Sequence, residues 1–427
     1  TQQSRPSFEQ EMVKRRSISK TAASKLISIL NNDLLLEVFL RLPHRRSLIQ
    51  CSIVCKRWFY VISHPQFSRR FFEYQNYKRS SDSSSYYSSL PYTILFRTSR
   101  NTRRPLGEIV SKKSEILQGI QYETTLPPNS SIRASFEDLL LLCRDWKEYC
   151  IYNPLTRQLL WLPDAPSPRN HLEKCGFVSE LMNNGQYRFK VLLIIKYSDK
   201  ENDDCVLDGA TFCSETGKWS KAVFSFPKTL APGYKTFEDF VVSNGILYSL
   251  VDAGDVKGFV AFDLSTDCTS KDDERKQCHF IELPINFGRG WRASRDKVCY
   301  GVVQGQLRLS QMVKMKREYD LKIWELDCKN IDYVYWVMLH RVRLKTEKKA
   351  SMGVAAFHPN NADVIFMLRN QELYKYEIGK ERYRVGELRG PDLPLRKYLI
   401  EDFFRFFQAF TVVYPPWPTL IPVLSNV

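Results

Sequence analysis

The chain has 427 residues, 43% hydrophobic and 13% aromatic, which is enough to bury a large core in two or three domains and excludes an intrinsically disordered protein. Its eleven cysteines, scattered without CxxC pairs or His/Cys clusters at zinc spacing, argue against a disulfide scaffold and for reduced, mostly buried thiols in the cytoplasm or nucleus. The net charge of +16 is local: residues 1–113 hold 21 Lys and Arg against 7 Asp and Glu, and the remainder 42 against 40, so the balance does not describe a nucleic-acid-binding protein.

Residues 1–25 are polar and basic without a period and read as a disordered arm, in which Lys14, Arg15, Arg16 and Lys20 are either a nuclear address or an ordinary flexible run. The chain opens on Thr1, which leaves room for a further N-terminal stretch. No apolar run approaches the roughly 18 residues that span a bilayer, so no membrane partner is expected.

Residues 26–75 carry helical periodicity. In LNNDLLLEVFLRLP, Leu30 to Pro43, Asn31 or Asn32 caps a helix with Asp33 in its first turn. The apolar positions that follow cover about 240° of the circumference and leave only Glu37 and Arg41 on a polar strip. An ordinary surface helix needs a stripe of about 100°, and a segment this small cannot cover the excess by itself, so a second protein is expected there. After a basic loop at His44, Arg45 and Arg46, Ser47 is the cap candidate of a second helix. Cys51, Val54, Cys55, Trp58 and Ile62 fall on one face of it, and His64-Pro65 stops it. Lys56 and Arg57 are the kind of cations that activate a thiol, but the spacing assigns Cys55 to the buried face beside Trp58, where burial makes it inert.

A serine-rich linker at 76–90 precedes a different texture. From 91 to 427 the chain is made of short runs rich in Val, Ile, Tyr, Phe and Trp, separated by turn residues. A weak repeat runs through it: YNPLT at Tyr152, FCSET at Phe212, FDLST at Phe262, WELDC at Trp324 and YEIGK at Tyr376, at spacings of 60, 50, 62 and 52 residues. Each unit reads as strand, turn, strand. A ring on the second strand, at Trp161, Trp219, Trp336 and Tyr383, is expected to pack between blades of an all-β propeller. RTSRNTRR at 97–104 and DDERK at 272–276 read as exposed loops.

Catalytic chemistry finds no constellation. The histidines at 44, 64, 171, 279, 340 and 358 are dispersed, and no GxSxG, Walker or GxGxxG motif is present. No cofactor and no metal are expected.

LLLEVFLRLP followed by SLIQCSIVCKRWFYVISHPQF resembles the F-box, the helical module that docks on the Skp adaptor of Skp–cullin–F-box ubiquitin ligases. Leu42-Pro43, Val54-Cys55-Lys56 and Trp58 carry the likeness, with Asn31 where the family usually has proline. YCIYNPLTRQLLWLP, LKIWELD before YVYWVML, and YPPWPTLIPV resemble, more diffusely, the plant-type F-box-associated domain, a kelch-related propeller. The resemblance implies an α + β multidomain protein: F-box at 26–75, propeller at 91–427. It implies an adaptor interface at Leu34, Leu35, Val38, Leu42, Pro43, Leu48, Ile49, Val54, Cys55, Trp58 and Ile62, some of which form the module's own core instead. Cullin would be reached through the adaptor, and an unknown protein substrate would bind the β-domain. A ligand- or glycan-binding propeller whose F-box serves gated or self-directed turnover is the other reading the resemblance leaves open.

Overall fold

The computed structural model describes residues 30–42, 45–64, 67, 70–71, 74, 90–98, 107–110, 126–145, 147–166, 174–182, 186–199, 205–226, 236–252, 255–264, 276–330, 333–345, 351–369, 372–380, 382–385, 388–389, 407–415, 419 and 421. The arm at 1–25, the serine-rich linker up to residue 89, the loop at 99–104, residues 272–275 of DDERK, and Pro43 lie outside them. The chain forms two compact units, Thr1–Ser81 and Asp82–Val427.

Among the described residues the first unit has three helices with defined bounds, α1 Asn32–Leu40, α2 Arg45–Ser52 and α3 Lys56–Ser63, and Phe67, Arg70, Phe71 and Tyr74 beyond them are helical as well. Helix α1 starts where the Asn31 side chain accepts the Leu34 N–H at 2.8 Å, satisfying a donor that has no partner within the helix. Where one helix was expected from Ser47 to Ile62, the structure has two, broken by a turn at Ile53 and Val54. Two adjacent β-branched residues weaken the helix there, and the Cys55 sulfur caps α3 by accepting the Trp58 N–H at 3.5 Å. Ser47 is thus not a cap but lies within α2, which already begins at Arg45. Helix α3 ends at His64, which is extended before Pro65.

The second unit is a β-propeller, and its described strands form six sheets. The five sequence repeats become five successive sheets, and each repeat aromatic sits on a third strand: Tyr152 in Glu148–Tyr152, Phe212 in Cys205–Cys213, Phe262 in Val256–Asp263, Trp324 in Glu318–Asn330 and Tyr376 in Glu372–Glu377. All five rings are buried. Alternate residues of one strand serve two cores: Leu247 and Val251 face the preceding sheet, Tyr248 and Leu250 the next. Covering both faces is why Leu139–Cys143 reads as an unbroken apolar run.

The remaining sheet is assembled from both ends of the unit, with Tyr92–Thr98 pairing Phe407–Val413 from Tyr92 opposite Val413 to Thr98 opposite Phe407. Polar contacts at the hairpin ends then pass from sheet to sheet. Ser243 Oγ donates to the Gly305 carbonyl at 2.7 Å, the Gln304 N–H to the Pro359 carbonyl at 2.8 Å, and Asn360 Nδ2 to the Leu90 carbonyl at 2.7 Å; the Val413 N–H reaches the Glu137 carbonyl at 2.9 Å. Gln304 and Gly305 both take positive φ, 52° and 86°, as a two-residue hairpin turn with the strands' own twist requires.

Two of the expected inter-blade rings do tie neighbouring sheets. Trp219 and Trp336 each donate the indole N–H at 2.8 Å to a main-chain carbonyl at the outer edge of the preceding sheet, Pro163 and Glu282 respectively. Trp161 departs from the pattern: it lies under the Arg144 guanidinium of its own sheet, 4.3 Å from the ring centroid, and stays partly exposed. The Tyr383 side chain lies outside the described residues.

Candidate functional site

Helix α1 is apolar on two faces and its own unit covers one. Leu35, Phe39 and Leu40 are buried, with Trp58 of α3 edge-on to Phe39 at 5.1 Å between ring centroids. Leu34 and Val38, one turn apart, are 51% and 49% exposed. Between these faces runs the polar strip, where Glu37 pairs with Arg41 and, at 2.8 Å, with Arg70. The Arg41 hydrogen bond holds the Glu37 carboxyl below the usual range. Arg57 does not simply point to solvent: its Nε donates to Asn32 Oδ1 at 2.9 Å and its terminal nitrogen to the Leu30 carbonyl, clamping the start of α1.

The expected adaptor residues therefore separate. Leu35, Leu48 and Ile62 are core of the helical unit, and Leu42 and Trp58 are half-buried. Leu34, Val38, Val54 and Cys55 are exposed. For Cys55 this corrects the expectation of a buried helical face: as the residue before α3 it has extended backbone, so the 3.6-residue period that placed it beside Trp58 does not apply. Ile49 belongs to α2, and Pro43 lies outside the described residues. Ile53, Phe59 and Tyr60 are also exposed, at 79%, 58% and 66%. The sequence signal for the last two was their position off the apolar stripe of α3.

Several titratable groups of the propeller are built into its interior. Burial pushes the Cys150, Cys175, Cys278 and Cys299 thiols up to about 12, which leaves them protonated and unreactive. His358 is buried between Tyr92 and Phe366, accepts the Asn360 N–H on Nδ1 at 3.1 Å, and is driven down to about 3 by burial and by Lys375. Asp138, Asn153 and Thr419 form a buried knot: the Thr419 N–H and Asn153 Nδ2 both donate to Asp138 Oδ2 at 2.9 Å, and the Thr419 hydroxyl donates to Oδ1 at 2.5 Å. Asn153 Oδ1 also accepts the Leu155 N–H at 2.9 Å, shaping the turn that Pro154 presets. Among the described residues no cluster of three His, Cys, Asp or Glu could hold a metal ion, and no helix is long and apolar enough to cross a membrane.

A small helical unit with an uncovered apolar ridge, followed by a propeller of mainly antiparallel sheets, defines an F-box protein with a C-terminal β-propeller. The F-box-like family model matches residues 31–74, and the model described as F-box protein At3g26010-like, beta-propeller, matches residues 114–387. The chain belongs to this At3g26010-like F-box protein β-propeller family. That organisation supports, in general terms, the role of an F-box substrate receptor. No curated protein matches the chain by sequence. Among solved structures it is similar to YCF48 bound to D1 peptide, at 10% identity over 60% of this chain and 67% of that one, with a TM-score of 0.30. It is also similar to an oligogalacturonate lyase from Vibrio parahaemolyticus, at 6% identity over 60% and 64%, TM-score 0.31, and to a prolyl endopeptidase, at 12% over 82% and 39%, TM-score 0.27. The chain spans about two thirds or less of these structures. At such scores the likenesses carry no argument.

Proposed function

We propose that the chain is the substrate-recognition subunit of a Skp–cullin–F-box ubiquitin ligase, with its helical unit docked on a Skp adaptor, cullin reached through that adaptor, and a protein substrate held by the propeller. The observation that carries the reading is the Leu34–Val38 ridge, an apolar surface beside buried Leu35 and Phe39 that this unit leaves uncovered. Covering a half-exposed Leu and Val contributes about 1 kcal/mol each, and Val54, Phe59 and Tyr60 extend the apolar surface available. The subunit acts without a catalytic residue of its own: holding a substrate beside a conjugating enzyme raises the local concentration of the acceptor lysine. Free thiols suit work in the cytoplasm or nucleus.

The test is co-purification of a Skp adaptor with the full chain carrying Leu34→Glu and Val38→Glu. These exposed positions tolerate the change without unfolding, so adaptor capture is lost while the thermal transition is kept. Undiminished capture overturns the assignment.

A further inference from the structure

The propeller sheet that carries Trp324, the fourth of the five repeats, is built from Val298–Val303, Gln306–Met315, Glu318–Asn330 and Tyr333–Lys345, the last two 13 residues long. The segment from Pro284 to Lys297, which leads into it, lies across one face. Phe287 packs on Trp324 at 5.4 Å between centroids, Lys322 Nζ donates to the Asn286 carbonyl at 3.0 Å, and the buried Gln311 amide accepts the Gly288 N–H at 3.3 Å and donates to the Arg292 carbonyl at 3.0 Å. Gln311, Lys322 and Arg341 form one rung of this face. Two further rungs continue beyond it, Val313–Asp320–Arg343 and Met315–Glu318–Lys345, facing the same way because side chains alternate with a period of two.

The result is a cationic surface with apolar anchors. Arg343, Lys345 and Met315 stand exposed on the rungs, with Lys316 and Arg317 exposed in the turn beside them. The overlying segment adds exposed Arg289 and Arg292, and Trp291, which is 62% exposed with the Arg292 guanidinium 5.3 Å from its ring centroid. The carboxylates at this end, Glu318, Asp320 and Asp296, are half-buried, and two are held: Asp320 by Arg341 at 3.1 Å and Asp296 by Lys297 at 3.1 Å. Residues 114–427 are nearly balanced in charge, so this excess is a property of one place on the propeller.

We propose that this end of the fourth repeat's sheet is the substrate-docking surface, and that its partner is an acidic protein segment carrying a large apolar side chain. The inference rests on the receptor reading above and adds the partner's chemistry. Arg and Lys on the rungs supply rate and register, while Trp291 and Met315 bury the apolar side chain.

The test uses the full chain and a fluorescein-labelled peptide of alternating Glu and Leu, with a Lys and Leu peptide as control, followed by anisotropy at low salt. The acidic peptide binds and the basic one does not. Arg343→Glu with Lys345→Glu weakens binding about tenfold, the Gln pair weakens it less, and the difference shrinks as salt screens it. Trp291→Ala weakens it about tenfold with little salt dependence. Equal binding of the two peptides, indifference to the Glu pair at an unchanged thermal midpoint, or tighter binding of duplex RNA than of the acidic peptide overturns the proposal. Capture of a Skp adaptor by the same preparations separates the two readings. Adaptor captured without peptide binding sinks this surface alone, whereas peptide bound without adaptor sinks the receptor role alone.

Discussion

The indole N–H of Trp219 donates to the carbonyl of Pro163 at 2.8 Å, a bond between two neighbouring sheets made by residues 56 apart. Trp336 repeats it on Glu282 two sheets further on, with Phe259 at 5.7 Å where Trp219 has Tyr149 at 6.4 Å. Replacing either tryptophan by phenylalanine keeps most of the packing and strands a carbonyl, at a cost of about 1 kcal/mol. The two sites share no partner, so Trp219→Phe and Trp336→Phe should add in chemical denaturation of the full chain. Trp161→Phe makes the contrast, since that ring ties no sheets together, and its midpoint should move less.

Asp138 joins the first hairpin of its sheet to Thr419, 281 residues later. Asp138→Ala leaves Asn153 Nδ2 and the Thr419 N–H and hydroxyl with a lost acceptor in a buried site, a loss of about 3 kcal/mol or more. Thr419→Val removes one donor at constant shape and should cost about 1–2 kcal/mol. Proteolysis of the C-terminal segment under native conditions reads the same knot, with faster cleavage expected in both variants.

His358 sets a pH dependence. Its folded pKa, about 3, lies below the ordinary 6.5, so between these values the unfolded chain takes up a proton that the folded chain refuses. Stability is therefore full above about pH 6.5 and declines as pH falls toward about 3, at a slope of up to about 1.4 kcal/mol per unit. Asp138 has the opposite sign: burial raises its carboxyl, and its share fades as pH rises. The difference between wild type and His358→Asn isolates the histidine. That variant keeps an acceptor for the Asn360 N–H and should lose the slope across this window, and a slope equal to wild type would contradict the burial argument.

Cys55 is the exposed thiol of the helical unit, whereas Cys143, Cys150 and Cys175 are buried. Alkylation of the native chain with iodoacetamide, mapped by mass spectrometry, should label Cys55 early and the three buried thiols only on unfolding. Cys55→Ser should leave the fold intact, because serine caps a helix at least as well as a thiol does.

Much of the architecture follows from local chemistry. A strand covered on both faces needs aromatic and branched residues in succession, so the spacing of Tyr152, Phe212, Phe262, Trp324 and Tyr376 was already the spacing of the sheets. The excess apolar circumference of α1 and its asparagine cap were likewise present in a dozen residues, since a helix carries its own period. Other features rest on contacts between distant parts of the chain. The sheet closed by Tyr92 opposite Val413 depends on a partner more than 300 residues away, for which a strand carries no label. Cys55 changed from core to cap because one turn at Ile53 and Val54 interrupts the period that predicted its burial. The cationic surface near Trp291 exists only because register lines up Arg341, Arg343 and Lys345 beside a segment held by Gln311, and register is set by tertiary pairing.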